Sequence, residues 1–183
     1  MNTSAPLTRH ATGVRALHWL MAIVIIVAWM LGHRIEDFDG TPEKGAAVGL
    51  HVMVASSVLL LIVLRIVIRL KAGVPALPPA MGAAARAVSH AVHAALYLLM
   101  VALPMSGWLM ANSGGHTFYL LRVIPMPTLI GKQEALHEAL EDAHGAMGWL
   151  LGLLVVLHVA AALKHHFIDK DDVLSRMLPP RRG

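Results

Sequence analysis

The amino-acid sequence predicts an all-α fold, an integral membrane four-helix bundle with both termini in the cytoplasm. Three observations carry that reading. Of the 183 residues, 57% are hydrophobic and only 14% are charged, against roughly a quarter charged in an ordinary soluble domain. The apolar residues gather into four long blocks instead of being broken by polar ones at every turn. Lys and Arg fall unequally on the connections between those blocks, as they do around membrane-spanning helices.

The blocks run over about 16–32, 46–70, 83–111 and 145–163, each long enough to cross a hydrocarbon core that takes about 20 helical residues. Helices are the expected conformation, because lipid offers no water to backbone groups and barrel strands would alternate with period two. The first block starts late, lacks an A-x-A cleavage site and precedes three more, so it reads as a retained helix. The third contains Pro104 and Gly107, which a transmembrane helix tolerates with a kink. The connection from Asn112 to Asp142 is the longest. Its apolar middle, Phe118 to Ile130, reads as an ordered lid at the interface, and the charged stretch Lys132 to His144 as a helical cap. With no internal repeat and no second domain, residues 1–183 read as one bundle.

Orientation follows from the basic residues. Arg9, Arg15, Arg65, Arg69, Lys71, Arg86, Lys164, Lys170, Arg176, Arg181 and Arg182 fall on one side; only Arg34, Lys44, Arg122 and Lys132 fall on the other. The richer side is cytoplasmic by the positive-inside rule. Eight of the eleven acidic residues lie on the outer side, giving net charges of +8 inside and −4 outside. Basic residues are not interleaved with aromatics, which excludes a nucleic-acid surface. The absence of cysteine excludes disulfides, thiolate metal sites and iron–sulfur clusters. Hydrolase and nucleotide-driven classes lack their motifs: there is no G-x-S-x-G and no Gly-rich phosphate loop.

Composition alone does not explain twelve histidines. His18 lies near the cytoplasmic start of span one and His51 near the outer start of span two. His144 opens span four at the outer side, and His158 follows fourteen residues later. That interval is about 21 Å of helix and about 3.9 turns, so both imidazoles share nearly one face at opposite membrane surfaces. His51 can then face His144 on the outer side, and His18 can face His158 on the inner. An imidazole pair from facing helices is what a six-coordinate b-type haem requires, and the arrangement predicts two haem b groups stacked across the bilayer.

Other histidines compete. His90 and His93 share the depth of the inner pair, where either could replace a ligand, or bond a haem propionate or a quinone carbonyl. His166, with His165, reads as an interfacial, quinone or proton-uptake group. His10, His33 and His116 read as solvated. His137, Glu141 and His144 share a helix face that could bind zinc or non-haem iron. HEALEDAH is no zincin motif, however, and that metal leaves His18, His51 and His158 unexplained. The eleven methionines read as core filling.

Several segments resemble the bacterial four-helix dihaem cytochromes b561, and among them the superoxide oxidase type. They are His18-Trp19; His51 with Leu64-Arg65 and Arg69-Leu70; His90 and His93 with Leu96-Tyr97-Leu98-Leu99; and Ala102-Leu103-Pro104 with Gly107. Most specific is the end: His144, His158, Ala162-Leu163-Lys164-His165-His166-Phe167 and Asp169-Lys170-Asp171-Asp172. The resemblance covers nearly the whole chain. It implies an outer haem on His51 and His144 and an inner one on His18 and His158. It also implies a superoxide:ubiquinone oxidoreductase of the inner membrane, oxidising superoxide at the periplasmic face and reducing ubiquinone near the cytoplasmic face. Protons for the quinol would come through His93 or His166. The acidic outer face departs from what an anionic substrate favours, unless Arg34, Arg122, Lys132 and a protonated His137 steer superoxide locally. The alternative is an electron-transfer or anchor subunit linking the quinone pool to a periplasmic redox protein.

Overall fold

The computed structural model describes residues 9–73, 75–76 and 81–179. Arg181 and Arg182, counted above for the cytoplasmic side, lie outside them. Four long helices dominate: α1 (Thr12–His33), α2 (Lys44–Ala72), α3 (Ala83–Ser113) and α4 (Glu134–Phe167). All four are long and apolar enough to cross a membrane. α3 passes through Pro104 as one helix. α2 ends on Gly73, whose φ of 72° is a conformation glycine adopts at no steric cost.

α1 packs on α2, α3 on α4, and α2 joins the two pairs through α3. Neighbours run antiparallel: His51, early in α2, bonds the carbonyl of Ala28, late in α1. His144, early in α4, bonds Ser106, late in α3. The dry centre is small, with Met21, Val58, Ile62 and Met100 meeting under Val24, Ile25, Leu61, Leu96 and Tyr97. Outward faces carry Leu, Ile and Val in the open, such as Ile23, Val63, Leu98 and Val156. In lipid that is the expected pattern, since the surroundings are as apolar as the side chains and helix association relies on packing and polar contacts.

The start of α1 and the end of α4 lie at one end of the bundle, here the terminal end. Beyond α4 the chain folds back against α1: Trp19 Nε1 donates to the Met177 carbonyl at 3.0 Å and Arg15 to that of Leu178 at 2.7 Å. Arg176 reaches the carbonyl of Ala76 in the α2–α3 connection.

The opposite, hairpin end differs from the sequence reading in one respect. The charged stretch up to His144 is not a separate cap but the first turns of α4. Glu134 in the first turn suits the positive end of the helix dipole, and His137 Nδ1–H ties that turn to the Met110 carbonyl of α3 at 2.9 Å. The connection between α3 and α4 is thus 114–133 and contains the expected lid, Phe118 to Ile130. It holds a two-stranded antiparallel hairpin, β1 (Tyr119–Leu120) with β2 (Ile124–Pro125), in the register Tyr119↔Pro125 and Leu120↔Ile124.

Five contacts hold the hairpin segment down. Phe118 is buried and stacks on Trp108 with ring centroids 5.9 Å apart. Trp108 Nε1 donates to the Pro127 carbonyl at 3.0 Å. The Leu121 amide donates to Ser56 Oγ of α2 at 2.9 Å. Asn112, 1% exposed, accepts from the Leu129 amide at 2.8 Å and donates to the His116 carbonyl at 3.2 Å. Asn112→Ala leaves the Leu129 amide without its acceptor, a cost of about 1–3 kcal/mol. The expected result is faster amide exchange and earlier proteolysis over 116–130, with helix content in detergent unchanged.

Candidate functional site

The structure brings both sequence-predicted histidine pairs together. His51 and His144 stand at the hairpin end with ring centroids 6.2 Å apart; His18 and His158 stand at the terminal end at 6.0 Å. Both couples are edge-on, with interplanar angles of 84° and 67°. Two metal–imidazole bonds of about 2 Å each put facing ring centres roughly 6 Å apart, so either couple fits one iron between its rings. His93 approaches His158 more closely, at 5.2 Å, which is short for a shared metal.

Hydrogen bonding orients the rings. His51 Nδ1–H donates to the Ala28 carbonyl at 2.9 Å. Ser106 donates to the Leu103 carbonyl at 2.8 Å, which leaves its oxygen to accept from His144 Nδ1–H, also at 2.8 Å. Both hairpin-end rings therefore present an unprotonated Nε2, the form a metal ligand takes when its other ring nitrogen is held by an oxygen. Glycine makes room for the first of them: a Cβ on Gly32 would sit 3.0 Å from the His51 ring, whereas one on Gly107 would meet that of His144 at an ordinary 3.6 Å.

The terminal-end couple is set differently. Arg65 donates to His18 Nδ1 at 3.2 Å, to Tyr97 Oη at 3.1 Å and to the Val14 carbonyl at 3.3 Å. A neutral ring that accepts at Nδ1 carries its proton on Nε2, so His18 takes iron there only as that proton leaves or moves. Arg65 was counted above with the loop charges, but it is buried, 7% exposed. Arg69 lies over the Tyr97 ring at 5.9 Å. His10, read above as solvated, is half-buried; burial first, then the charges of Arg69, Arg65, Arg176 and Arg15, hold its imidazole below the usual range. The terminal end is thus a strongly cationic site.

His93 Nδ1–H donates to the Ser89 carbonyl at 2.6 Å, leaving Nε2 toward His158 or a ligand. His90 is exposed and lines a shallow depression with Ala83, Arg86 and Ala87. His166 packs edge-on against Phe167 at 4.8 Å. His165 is engaged by Asp171 at 2.6 Å and Asp169 at 3.2 Å, beside the Lys164–Asp169 pair. His33, also read as solvated, sits between Trp29 at 4.0 Å and Trp149 at 4.5 Å.

The four groups suggested to steer an anion part ways. Arg34 pairs with Asp37 at 3.2 Å, and its neighbour Lys44 pairs with Asp39. His137 spends its Nδ1 on Met110. Arg122 and Lys132 have no carboxylate partner among the described residues. Arg122 is held in an unusual place: Leu121 and Arg122 both have positive φ, 54° and 58°, at the hairpin turn. A non-glycine residue there costs of order 1–3 kcal/mol. The guanidinium lies so close over Gly49, two residues before His51, that any side chain at that position would collide with it.

Sequence reading missed Arg65 and Ser106 as partners of the histidines. An arginine within an apolar span is itself a signal, since such groups are rare and usually functional. A serine in α3 carries none.

Comparison with known proteins agrees with this chemistry. The family model for prokaryotic cytochrome b561 matches residues 9–180. The chain is 32% identical over 166 residues to cytochrome b561 homolog 2 of Escherichia coli (strain K12), covering 89% of this chain and 87% of that one. It is 28% identical over 167 residues to a probable superoxide oxidase CybB of Yersinia pestis, covering 91% and 94%. To cytochrome b561 homolog 1 of Escherichia coli (strain K12) it is 37% identical over 89 residues, covering 48% and 49%. With four membrane-crossing helices and paired imidazoles in their midst, the chain belongs to the prokaryotic cytochrome b561 family, haem b electron-transfer proteins of the bacterial inner membrane.

Proposed function

We propose that this protein is a superoxide:ubiquinone oxidoreductase with two b haems, its hairpin end facing the periplasm and its terminal end the cytoplasm. The observation that carries the reading is the pair of imidazole couples at 6.2 and 6.0 Å, one at each end of the bundle. His51 with His144, and His18 with His158, would hold the haems, which supply one-electron transfer between the two faces. The balanced reaction takes two superoxide anions, one ubiquinone and two protons to two dioxygen and one ubiquinol.

The chain's own residues do the rest. Arg122 and Lys132 are the hairpin-end cations with no carboxylate partner among the described residues, and they draw an anion toward a face that is otherwise acidic. At the terminal end the His93 ring lies 5.2 Å from that of His158 with Nε2 left open, and a proton carried there would make it a donor to a quinone oxygen. His90 and His166 lie further out as proton-uptake groups. The 28% identity to a probable superoxide oxidase supports the substrate class.

A second reading has its own support. The outer side carries a net charge of −4, and the pairing of Arg34 and Lys44 with aspartates removes two of its four cations from play. Such a surface suits a basic periplasmic redox protein as the electron donor.

Purified protein is expected to bind two haems per chain with a bis-imidazole spectrum, and His51→Ala or His158→Ala to halve the haem content. Two haems retained in either variant would refute the ligand assignment. Rapid mixing of superoxide with the quinone-loaded protein is expected to reduce quinone at once; reduction only after a periplasmic partner is supplied favours the second reading. Arg122→Glu should slow the superoxide reaction about fivefold to tenfold at low ionic strength, and salt should shrink that difference. His93→Ala should slow quinone reduction while leaving both haems in place.

A further inference from the structure

The two histidine couples differ in what stands behind them. At the hairpin end both rings give their Nδ1–H to neutral oxygens, the Ala28 carbonyl and Ser106 Oγ. An acceptor in that position makes the ligand more basic and favours the more oxidised metal. At the terminal end a guanidinium stands in the corresponding place, Arg65 Nη2 lying 3.2 Å from His18 Nδ1; with iron on Nε2 the neutral ring keeps its proton on Nδ1, so the arginine acts there as a fixed charge and not as a donor. Arg65 is only 7% exposed and forms no ion pair among the described residues; its other partners, Tyr97 Oη and the Val14 carbonyl, are neutral. The hairpin end has a cation too, but Arg122 is exposed and screened.

We propose that Arg65 raises the reduction potential of the haem held by His18 and His158 above that of the haem held by His51 and His144, and so directs electrons toward the terminal end. The inference rests on the two-haem reading above. Reduction removes one positive charge from the iron, so it relieves repulsion with a cation fixed nearby. That relief is large where water and counterions are excluded. The transfer moves one electron, oxidising Fe(II) at the hairpin end and reducing Fe(III) at the terminal end, with no bond made or broken. Hydrogen bonds to Tyr97 Oη and the Val14 carbonyl accommodate the buried arginine without a carboxylate, and an adjacent acid would neutralise the field.

Redox titration of the full-length haem-loaded protein, followed optically, tests this. Wild type is expected to give two one-electron waves, with the higher one surviving in His51→Ala, which assigns it to the terminal end. Arg65→Gln should lower that wave so that the equilibrium between the haems shifts at least tenfold, about 59 mV for one electron, while the other wave stays. Arg65→Lys, which keeps the charge, should hold both near wild type. An Arg65→Gln protein with two haems and unmoved waves overturns the inference. If that variant fails to load, the wild-type order decides: a surviving His51→Ala wave that is the lower of the two overturns it equally. Wild type without two bis-imidazole haems instead overturns the reading on which it rests.

Discussion

A polar side chain held inside a hydrocarbon layer has to find its partner within the protein, and that requirement organises this bundle more than apolar packing does. Lipid is as apolar as leucine, so the helices gain little by hiding leucines from it; outward faces bearing Val63, Leu98 and Val156 are left open. What joins helix to helix is polar. His51 reaches the backbone of α1, His144 reaches Ser106 of α3, and Trp29 Nε1 donates to the Gly148 carbonyl of α4 at 2.9 Å. Arg65 ties α2 to both α1 and α3. Each of these bonds also fixes the place or orientation of a group near one of the two imidazole couples.

Small residues make that geometry affordable. Gly32 lets the His51 imidazole lie against a neighbouring helix, and Gly152 does the same for Trp29, where a Cβ would come within 2.9 Å of the indole nitrogen. At Gly49 the visitor is Arg122, carried on a turn of two left-handed residues. That turn is costly in backbone terms, and the Leu121 bond to Ser56 and the buried Phe118 beneath it provide the offset.

The two ends of the bundle are electrostatically unlike. The terminal end sets Arg15, Arg65, Arg69 and Arg176 around His10, with Arg65 also beside His18, while the hairpin end backs its imidazoles with neutral oxygens and pairs two of its four cations, Arg34 and Lys44, with aspartates. A molecule that moves negative charge from one face to the other is served by this polarity.

Much of the fold was legible in the sequence because it depends on local properties. Apolar run length marks a spanning helix, and the chain forms four helices over the four runs, extended by a few residues at most ends. The spacing of His144 and His158 on one helix face likewise follows from helical period alone. Tertiary structure decided what period cannot express. That the charged residues 134–144 run unbroken into α4, docked on α3 by the bond from His137 to Met110, is one such feature. Whether Arg65 lies in water or in the bundle depended on Tyr97 and Val14, which are distant in sequence. The same holds for His33, drawn from its expected loop into an aromatic cluster by Trp29 and Trp149. Single-helix patterns report which face a residue takes; only the meeting of helices determines what stands opposite it, and in a membrane bundle that partner sets its charge state, its tautomer and its chemistry.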